Sequence, residues 1–433
     1  MSSENVDMLS RLPEEIVSHI LSLMPTKHAV RTSILSKRWR YSWMFVTNLY
    51  FTENIRHSHG LDSFSEFVDQ VLKFCKSPQL NLFRMHLVTL CWLQRPSVSK
   101  WIDKAIRLNV HELDIQVNVL ELPLSFFTCK TLTKLRLDHI AYDHDVWESV
   151  HLPCLKTLDI AIYTNPLVNA FKLVRGCPIL ESLSLEVQCC KDEEDYLFDV
   201  PTLKRLKLTL YCSQSFNNKV VLIVPNLEYL FVGGNLCSLF VMEDVSSLVE
   251  ATVSFTNLSI GYLWVELLNG LYRVKSLSAQ ADGFPYLGNT FCSPLPTFPN
   301  MKHLELKGFC QSGLISKFLE SSPELKHLCI EKVYELLLQE PGYTSWIEPK
   351  LVPPCMLTNL TTIKFSNCKG HKCDIQFLEY VLGNAEVLKK VTIIWESMSS
   401  ELQLPLCTQL LKVSRASQDC EICFHARPLT LIS

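Results

Sequence analysis

The chain has 433 residues, 48% of them hydrophobic and 20% charged, with 41 basic against 44 acidic side chains for a net charge of −3. That balance excludes a disordered chain, which needs low hydrophobicity and high net charge, and a densely basic binder of phosphate backbones. With 13 Gly there is little room for glycine-rich phosphate cradles, and neither GxGxxG nor GxxxxGK[ST] occurs, so nucleotide-dependent chemistry loses most of its support. Length alone allows about two to four domains.

The N-terminus, MSSENVDMLSRLPEEIV, lacks a positive segment followed by an apolar core, and no stretch of about 18 residues is free of charge or Pro. The expectation is therefore a cytoplasmic and/or nuclear protein that is neither secreted nor membrane-spanning. The 18 Cys are then reduced thiols, and Cys329 and Cys423 read as small buried hydrophobes. Asn257 and Asn359 head two glycosylation sequons, which matter only in a secreted protein.

Residues 8–52 read as three short helices. Pro13 suits a first helical turn, Glu14 and Glu15 favour the positive end of the helix dipole, and Ile16, Ile20, Leu21, Leu23 and Met24 form an apolar stripe stopped by Pro25. Thr26 is placed to cap a second helix, and Ser36 a third running through Lys37, Arg38, Trp39 and Trp43. Some 45 residues lie near the lower limit for an independent core, so the module needs packing against something else. An apolar patch left exposed on it would mark a partner site. Lys27, Arg31, Lys37, Arg38 and Arg40 form a basic run, read mainly as a solvated helix face.

Residues 53–109 are read as a linker with a first repeat-like segment. From 110 to 345 the pattern L-x-x-L-x-L recurs: LTKLRL from Leu132, LKTLDI from Leu155, LESLSL from Leu180, LKRLKL from Leu203, LEYLFV from Leu227, MKHLEL from Met301 and LKHLCI from Leu325. Weaker copies begin at Val110, Leu248, Val274, Leu360 and Leu388, giving a mean period of about 25 residues, inside the leucine-rich-repeat range. The last two apolar positions alternate along a short strand and point inward, while the return segment covers the other side. NAFKLVRGC, GLISKFLESS and QFLEYVLGNAE read as helical returns. The Asn/Cys position after the motif is filled only at Asn118, Asn235 and Cys368, so the solenoid is expected to be degenerate.

The fold class expected is thus α/β: a three-helix N-terminal module, then an irregular, continuous solenoid with a curved parallel sheet and helices on its convex side. Residues alternating with the buried leucines face the concave surface, among them Lys134, Arg136, Asp138, Ser182, Ser184, Glu186, Thr209, Gly233, Lys307, His327 and Glu331. Arg205, Lys207, Tyr229 and Phe231 make a basic patch with aromatics, and His303 and Glu305 extend the candidate substrate face. Aromatic and Arg anchors are common energetic centres of protein interfaces, which points to a protein partner.

Chemistry of other kinds finds little footing. Cys368, His371 and Cys373, and again Cys420, Cys423 and His425, sit close in sequence but lack the paired spacing of a zinc finger. No nucleophile elbow or HExxH occurs, so no catalytic residue, metal or cofactor is assigned.

The string LSRLPEEIVSHILSLMPTKHAVRTSILSKRWRYSW resembles the F-box, with Leu12, Pro13, Ile16, Ile20, Leu23, Pro25, Val30, Leu35, Ser36, Arg38 and Trp39 on family positions. SWMFVTNLYF and RGCPILESLSL look like the linker and repeats of plant F-box/LRR proteins. WIEPKLVPPCMLTNLTTIKFSNCKG, FLEYVLGNAEVLKKVTI and LLKVSRASQDCEICF resemble the FBD domain that closes many of them. The organisation this implies is an F-box at 8–52, repeats at 110–345, an FBD domain at 346–424 and a tail at 425–433. The resemblance implies a non-catalytic substrate-recruiting adaptor of an SCF-type cullin–RING ubiquitin ligase. The F-box would dock on a Skp-type subunit, and on cullin through it, while the repeats hold an unknown target protein. Leu12, Pro13, Ile16, Ile20, Leu21, Pro25, Val30 and Leu35 are the adaptor-binding residues so implied. A ligase-independent interaction scaffold is the alternative, and neither nucleic acid nor membrane is expected as a partner.

Overall fold

The computed structural model describes residues 12–55, 58–89, 95–120, 122–140, 150–162, 168–188, 195–211, 219–236, 238–257, 261–281, 294–308, 312–332, 346, 348–396 and 400–426. The start of the N-terminal module at 8–11 and most of the tail, 427–433, lie outside the described residues. The chain forms two compact units, 1–192 and 193–433.

The repeat motif places its residues as the alternation argument requires. The first apolar residue of each copy lies just ahead of a strand and is buried, as at Leu132, Leu155, Leu180, Leu203, Leu227, Met301 and Leu325. The fourth and sixth lie on the strand and point into the same core, as in Leu135 and Leu137, Leu183 and Leu185, Leu206 and Leu208, and Leu328 and Ile330. At ~0.8 kcal/mol per buried methylene, the ladder of leucines is the main cohesive element of the fold.

In the first unit, α1 (Glu14–Ser22) and α2 (Thr26–Arg31) precede β1 (Asn48–Ile55), α3 (Ser58–Phe74), β2 (Leu82–Thr89), α4 (Arg95–Arg107), β3 (Glu112–Leu120), β4 (Lys134–Ile140), β5 (Thr157–Ile162), α5 (Val168–Arg175) and β6 (Ser182–Gln188). The six strands pair in chain order and in parallel. Residues 53–109, read as a linker with a first repeat-like segment, carry the end of β1, the whole of β2 and two amphipathic helices, and Leu49, Phe51, Phe83 and Met85 take the places of repeat leucines in these two strands.

The second unit contains β7 (Tyr196–Asp199), β8 (Arg205–Tyr211), β9 (Lys219–Ile223), β10 (Tyr229–Asn235), β11 (Leu239–Asp244), β12 (Glu250–Asn257), α6 (Gly261–Gly270), β13 (Ser276–Ala281), β14 (His303–Lys307), α7 (Ser312–Ser321), β15 (His327–Glu331), α8 (Pro354–Thr358), β16 (Thr362–Cys368), α9 (Lys372–Asn384), β17 (Lys390–Trp395), α10 (Ser400–Leu411) and β18 (Glu421–Ala426). Its main sheet runs β8-β10-β12-β13-β14-β15-β16-β17-β18, parallel at every junction.

The three segments expected as helical returns are α5, α7 and α9. The segments ahead of β8, β10 and β12 differ, because β7, β9 and β11 are strands that pair in parallel as a second sheet in the order β11-β9-β7. Their sequences explain this: KVVLI is rich in β-branched residues and buries alternate side chains, and LFVMED carries Phe240, which is buried, beside Val241, which suits a strand and disfavours a helix.

β10 ends on a bulge at Gly234 and Asn235, where Gly234 has φ +90°. A Cβ there would stand 2.2 Å from the Leu210 carbonyl oxygen of β8. Gly234→Ala is therefore expected to destabilise the unit by on the order of 2 kcal/mol, through left-handed backbone strain and loss of close strand approach. Urea denaturation checks it, and a cost below experimental scatter would show that the bulge relaxes freely.

Candidate functional site

The N-terminal module builds two apolar stripes on one helix. Val17 and Leu21 of α1 are buried, whereas Ile16 is 45% and Leu23 66% exposed, with Ile20 between them half-buried. The spacing 16, 20, 23 is a single helix face, and it points away from the module's core. Leu21, expected on the adaptor face, is instead fully buried and supports that face from beneath. Pro13 and Pro25 are exposed, Leu12 and Val30 are half-buried, and Leu35 is 67% exposed beside Ile34 at 86%. Tyr41 and Phe45 add exposed aromatic surface, a contribution that sequence reading missed because both were assigned to a regular third helix or to the linker.

That third helix does not form. Thr32–Ile34 and Ser42–Phe45 are single 3₁₀ turns joined by turns through 36–41. Ser36 Oγ accepts the Trp39 N–H at 3.3 Å, as a cap does, but later bonds run i to i+3, from Ser42 N to Trp39 O and from Met44 N to Tyr41 O. The aromatic-rich sequence RWRYSWMF has little helix propensity to propagate the turn. Thr26 likewise does not cap α2. Pro25 occupies the cap position, and the buried Thr26 hydroxyl accepts the Tyr50 N–H at 2.8 Å. Ser22 Oγ accepts the Thr47 N–H at 3.1 Å, so two buried hydroxyls tie the helical module to the first strand. Arg38 closes the module by donating to the Leu12 carbonyl.

The sheet carries the second candidate surface. In the first unit Asp114, only 10% exposed, accepts from Arg84 Nε at 2.7 Å and pairs with His86 Nε2 at 2.9 Å. Lys134 lies 3.6 Å from Glu112 and Arg136 3.5 Å from Asp159. Sequence reading named Lys134 and Arg136 but not the Arg84–Asp114–His86 cluster, which spans strands too far apart in sequence to be seen together.

In the second unit the strand register sets the outer face in rows. Arg205, Tyr229, Glu250, Ser276, His303, His327, Thr362, Lys390 and Glu421 are successive partners, followed two residues on by Lys207, Phe231, Thr252, Ser278, Glu305, Cys329, Lys364, Thr392 and Cys423. Arg205 lies 4.8 Å from the Tyr229 ring centroid and Lys207 5.3 Å from that of Phe231. His303 stacks on His327 with centroids 4.6 Å apart, and His327 Nδ1 contacts Thr362 Oγ1 at 2.7 Å. Partial burial, with the neighbouring His303 and Lys326, lowers the His327 pKa, so its ring stays neutral at neutral pH. Glu305 is already engaged, accepting from Ser278 at 2.7 Å and pairing with Lys307 at 3.1 Å.

Cys329 and Cys423, expected as core, fall on this outer face and are half-buried. The cysteines that do fill the core include Cys177, Cys355 and Cys368, whose thiol pKa values burial pushes up to about 12. Thiolate is the reactive form, so iodoacetamide at neutral pH is expected to leave these three unlabelled in the folded chain and to label them after denaturation. Mass spectrometry of native and unfolded samples checks this, and native labelling of Cys368 would contradict its burial. Cys368 and Cys373 are buried while His371 is exposed, and among the described residues no three potential metal ligands cluster.

A buried pair lies under β15 and α9. Lys332 Nζ, on a side chain 3% exposed, contacts Asp374 Oδ1, which is fully buried in the first turn of α9. The ammonium also lies 3.8 Å from Cys373 Sγ and 5.6 Å from the Phe365 ring centroid. Asn367, at φ +58°, accommodates a register shift in β16 and donates to the Lys332 carbonyl at 3.2 Å.

Residues 9–47 match the F-box domain family, residues 98–245 the family described as FBD-associated F-box protein At5g56370, LRR repeats, and residues 348–393 the FBD family. FBD-associated F-box protein At4g10400 of Arabidopsis thaliana is 31% identical over 431 residues, covering 97% of this chain and 100% of that protein. From the same organism, putative F-box/FBD/LRR-repeat protein At4g13965 is 30% identical over 428 residues, covering 96% and 97% of the two chains, and FBD-associated F-box protein At5g56370 is 29% identical over 97% of this chain and all of its own length. Among the described residues no helix is long and apolar enough to cross a membrane.

Proposed function

Because the chain belongs to the F-box/FBD/LRR-repeat family, we propose that it is the substrate-recruiting adaptor of an SCF-type cullin–RING ubiquitin ligase. In this reading the N-terminal module docks on a Skp-type subunit, and the outer face of the sheet holds a target protein near the ubiquitin-conjugating enzyme. Its contribution to catalysis is then proximity, which raises the effective concentration of target lysines without any chemistry on this chain.

The observation that carries the proposal is the set of exposed apolar side chains Ile16, Leu23, Ile34 and Leu35. A module this small has few apolar side chains to spare, and leaving several outside its core makes physical sense when a partner covers them. The adaptor-binding set is accordingly Leu12, Pro13, Ile16, Ile20, Pro25, Val30 and Leu35, with Leu23 and Ile34 added and Leu21 acting from beneath.

Co-expression with a Skp-type subunit tests the proposal: the two are expected to co-purify as an equimolar complex that brings cullin with it. A chain that folds but never retains the subunit would defeat the ligase reading and leave the alternative, a ligase-independent scaffold whose partners keep their abundance when the proteasome is blocked.

A further inference from the structure

On the outer face of the first unit the sheet satisfies its own charges. Arg84, His86, Lys134 and Arg136 each have a carboxylate of a neighbouring strand within 3.6 Å. A partner's acid arriving there must compete with one already in place.

At β8 and β10 the arrangement changes. Arg205 and Lys207 are exposed, and neither has a carboxylate within ion-pair distance among the described residues. Each lies over an aromatic ring instead, at 4.8 and 5.3 Å from the centroid. Tyr229 is fixed in turn by its hydroxyl, 3.5 Å from Thr252 Oγ1. Phe231 lies across Gly233, where a Cβ would come within 2.7 Å of the ring. The rings therefore hold two cations in place without neutralising them.

Arg205 and Lys207 are two residues apart on one strand, so they project from the same face about 6.6–6.8 Å apart. An extended peptide presents its own alternate side chains at the same interval. We infer that this patch binds an extended protein segment carrying carboxylates at positions i and i+2, with the aromatic rings packing against the aliphatic stems of those acidic side chains. The inference rests on the outer-face reading proposed above and gives the target its chemical class, an acidic strand-like segment. Single-stranded nucleic acid also favours aromatic rings beside cations. Here, however, Glu250 is the register partner of Tyr229, so a phosphate chain, charged at every residue, meets like charge where it crosses from β10 to β12, whereas a peptide with two carboxylates can lie along β8 alone.

Fluorescein-labelled (Glu-Thr)₆ and (Gln-Thr)₆ peptides, titrated at low salt into the full chain with and without its Skp-type subunit, provide the test. The glutamate peptide is expected to bind tenfold or more tightly than its neutral analogue, with affinity falling as salt rises. Arg205→Gln with Lys207→Gln should remove that difference, whereas Lys134→Gln in the first unit should leave it intact. Equal binding of the two peptides, no saturable binding of the glutamate peptide, or an unchanged affinity in the double variant would each overturn the inference, as would tighter binding of a twelve-residue oligothymidylate. Subunit retention is read on the same samples. Its loss with peptide binding intact counts against the ligase reading alone, and the reverse result counts against the acidic-segment site alone.

Discussion

Asp374→Ala is expected to cost the second unit about 3–5 kcal/mol, because it leaves the Lys332 ammonium buried without its counter-charge. Two of its neighbours are poor replacements. Cys373 Sγ is a weak acceptor 3.8 Å away, and Phe365 presents a ring face at 5.6 Å. Relaxation that lets water in would have to break the packing of α9, whose Cys373, Ile375, Phe377 and Leu378 are all buried. Lys332→Met should cost a comparable amount, since it leaves the buried Asp374 carboxylate without the ammonium. Combining Lys332→Met with Asp374→Leu should recover most of the loss, because a well-packed apolar pair avoids the desolvation of both charges. Urea denaturation of the four proteins measures these differences. A loss below about 1 kcal/mol for Asp374→Ala would show that the pair is not desolvated as its burial indicates.

On the docking proposed above, replacing Ile34 and Leu35 together by Glu is expected to abolish retention of a Skp-type subunit, weakening it a hundredfold or more while leaving the fold intact. Both side chains stand mostly in solvent, at 86% and 67% exposure, so the unfolding free energy should move by only about 0.5 kcal/mol. In the complex the same two charges would have to be desolvated against an apolar partner. Leu21→Ala separates the two effects. That side chain is fully buried, so its truncation should cost about 2–5 kcal/mol of stability and weaken docking only as far as the module unfolds. Pull-down and thermal denaturation measured in parallel decide the matter. Undiminished retention in the Ile34/Leu35 variant would remove this surface from the docking face.

The sheet was legible in the sequence wherever leucine fixed the spacing, because the first residue of L-x-x-L-x-L packs under the strand and the next two alternate on it. It was not picked out at β1 and β2, where Val46, Leu49 and Phe51, and Leu80, Phe83 and Met85, keep the apolar spacing but replace most of the leucines with residues of mixed shape. The return strands β9 and β11 were equally hidden: a strand of five or six residues in a surface return carries too short an alternation to compete with the expectation of a helix. On the N-terminal module the apolar residues were visible, but which of them turn outward was not. Adjacent residues such as Ile16 and Val17 differ only by the rotation of one helical step, and the tertiary contacts decide which is buried. The cation–aromatic pairs of β8 and β10 combined both cases. Their residues stood out in sequence, while the absence of competing carboxylates among the described residues became visible only once the strand register was known.

The link between Lys332 and Asp374 also bears on the order in which the protein is made. Lys332 leaves the ribosome 42 residues ahead of its counter-ion, which at about 5–20 residues per second is an interval of a few seconds. Until Asp374 arrives, burying the lysine is unfavourable. The strand ending at Glu331 therefore has reason to stay unsealed during synthesis, and the last repeats should lock in together, late and from the C-terminal side.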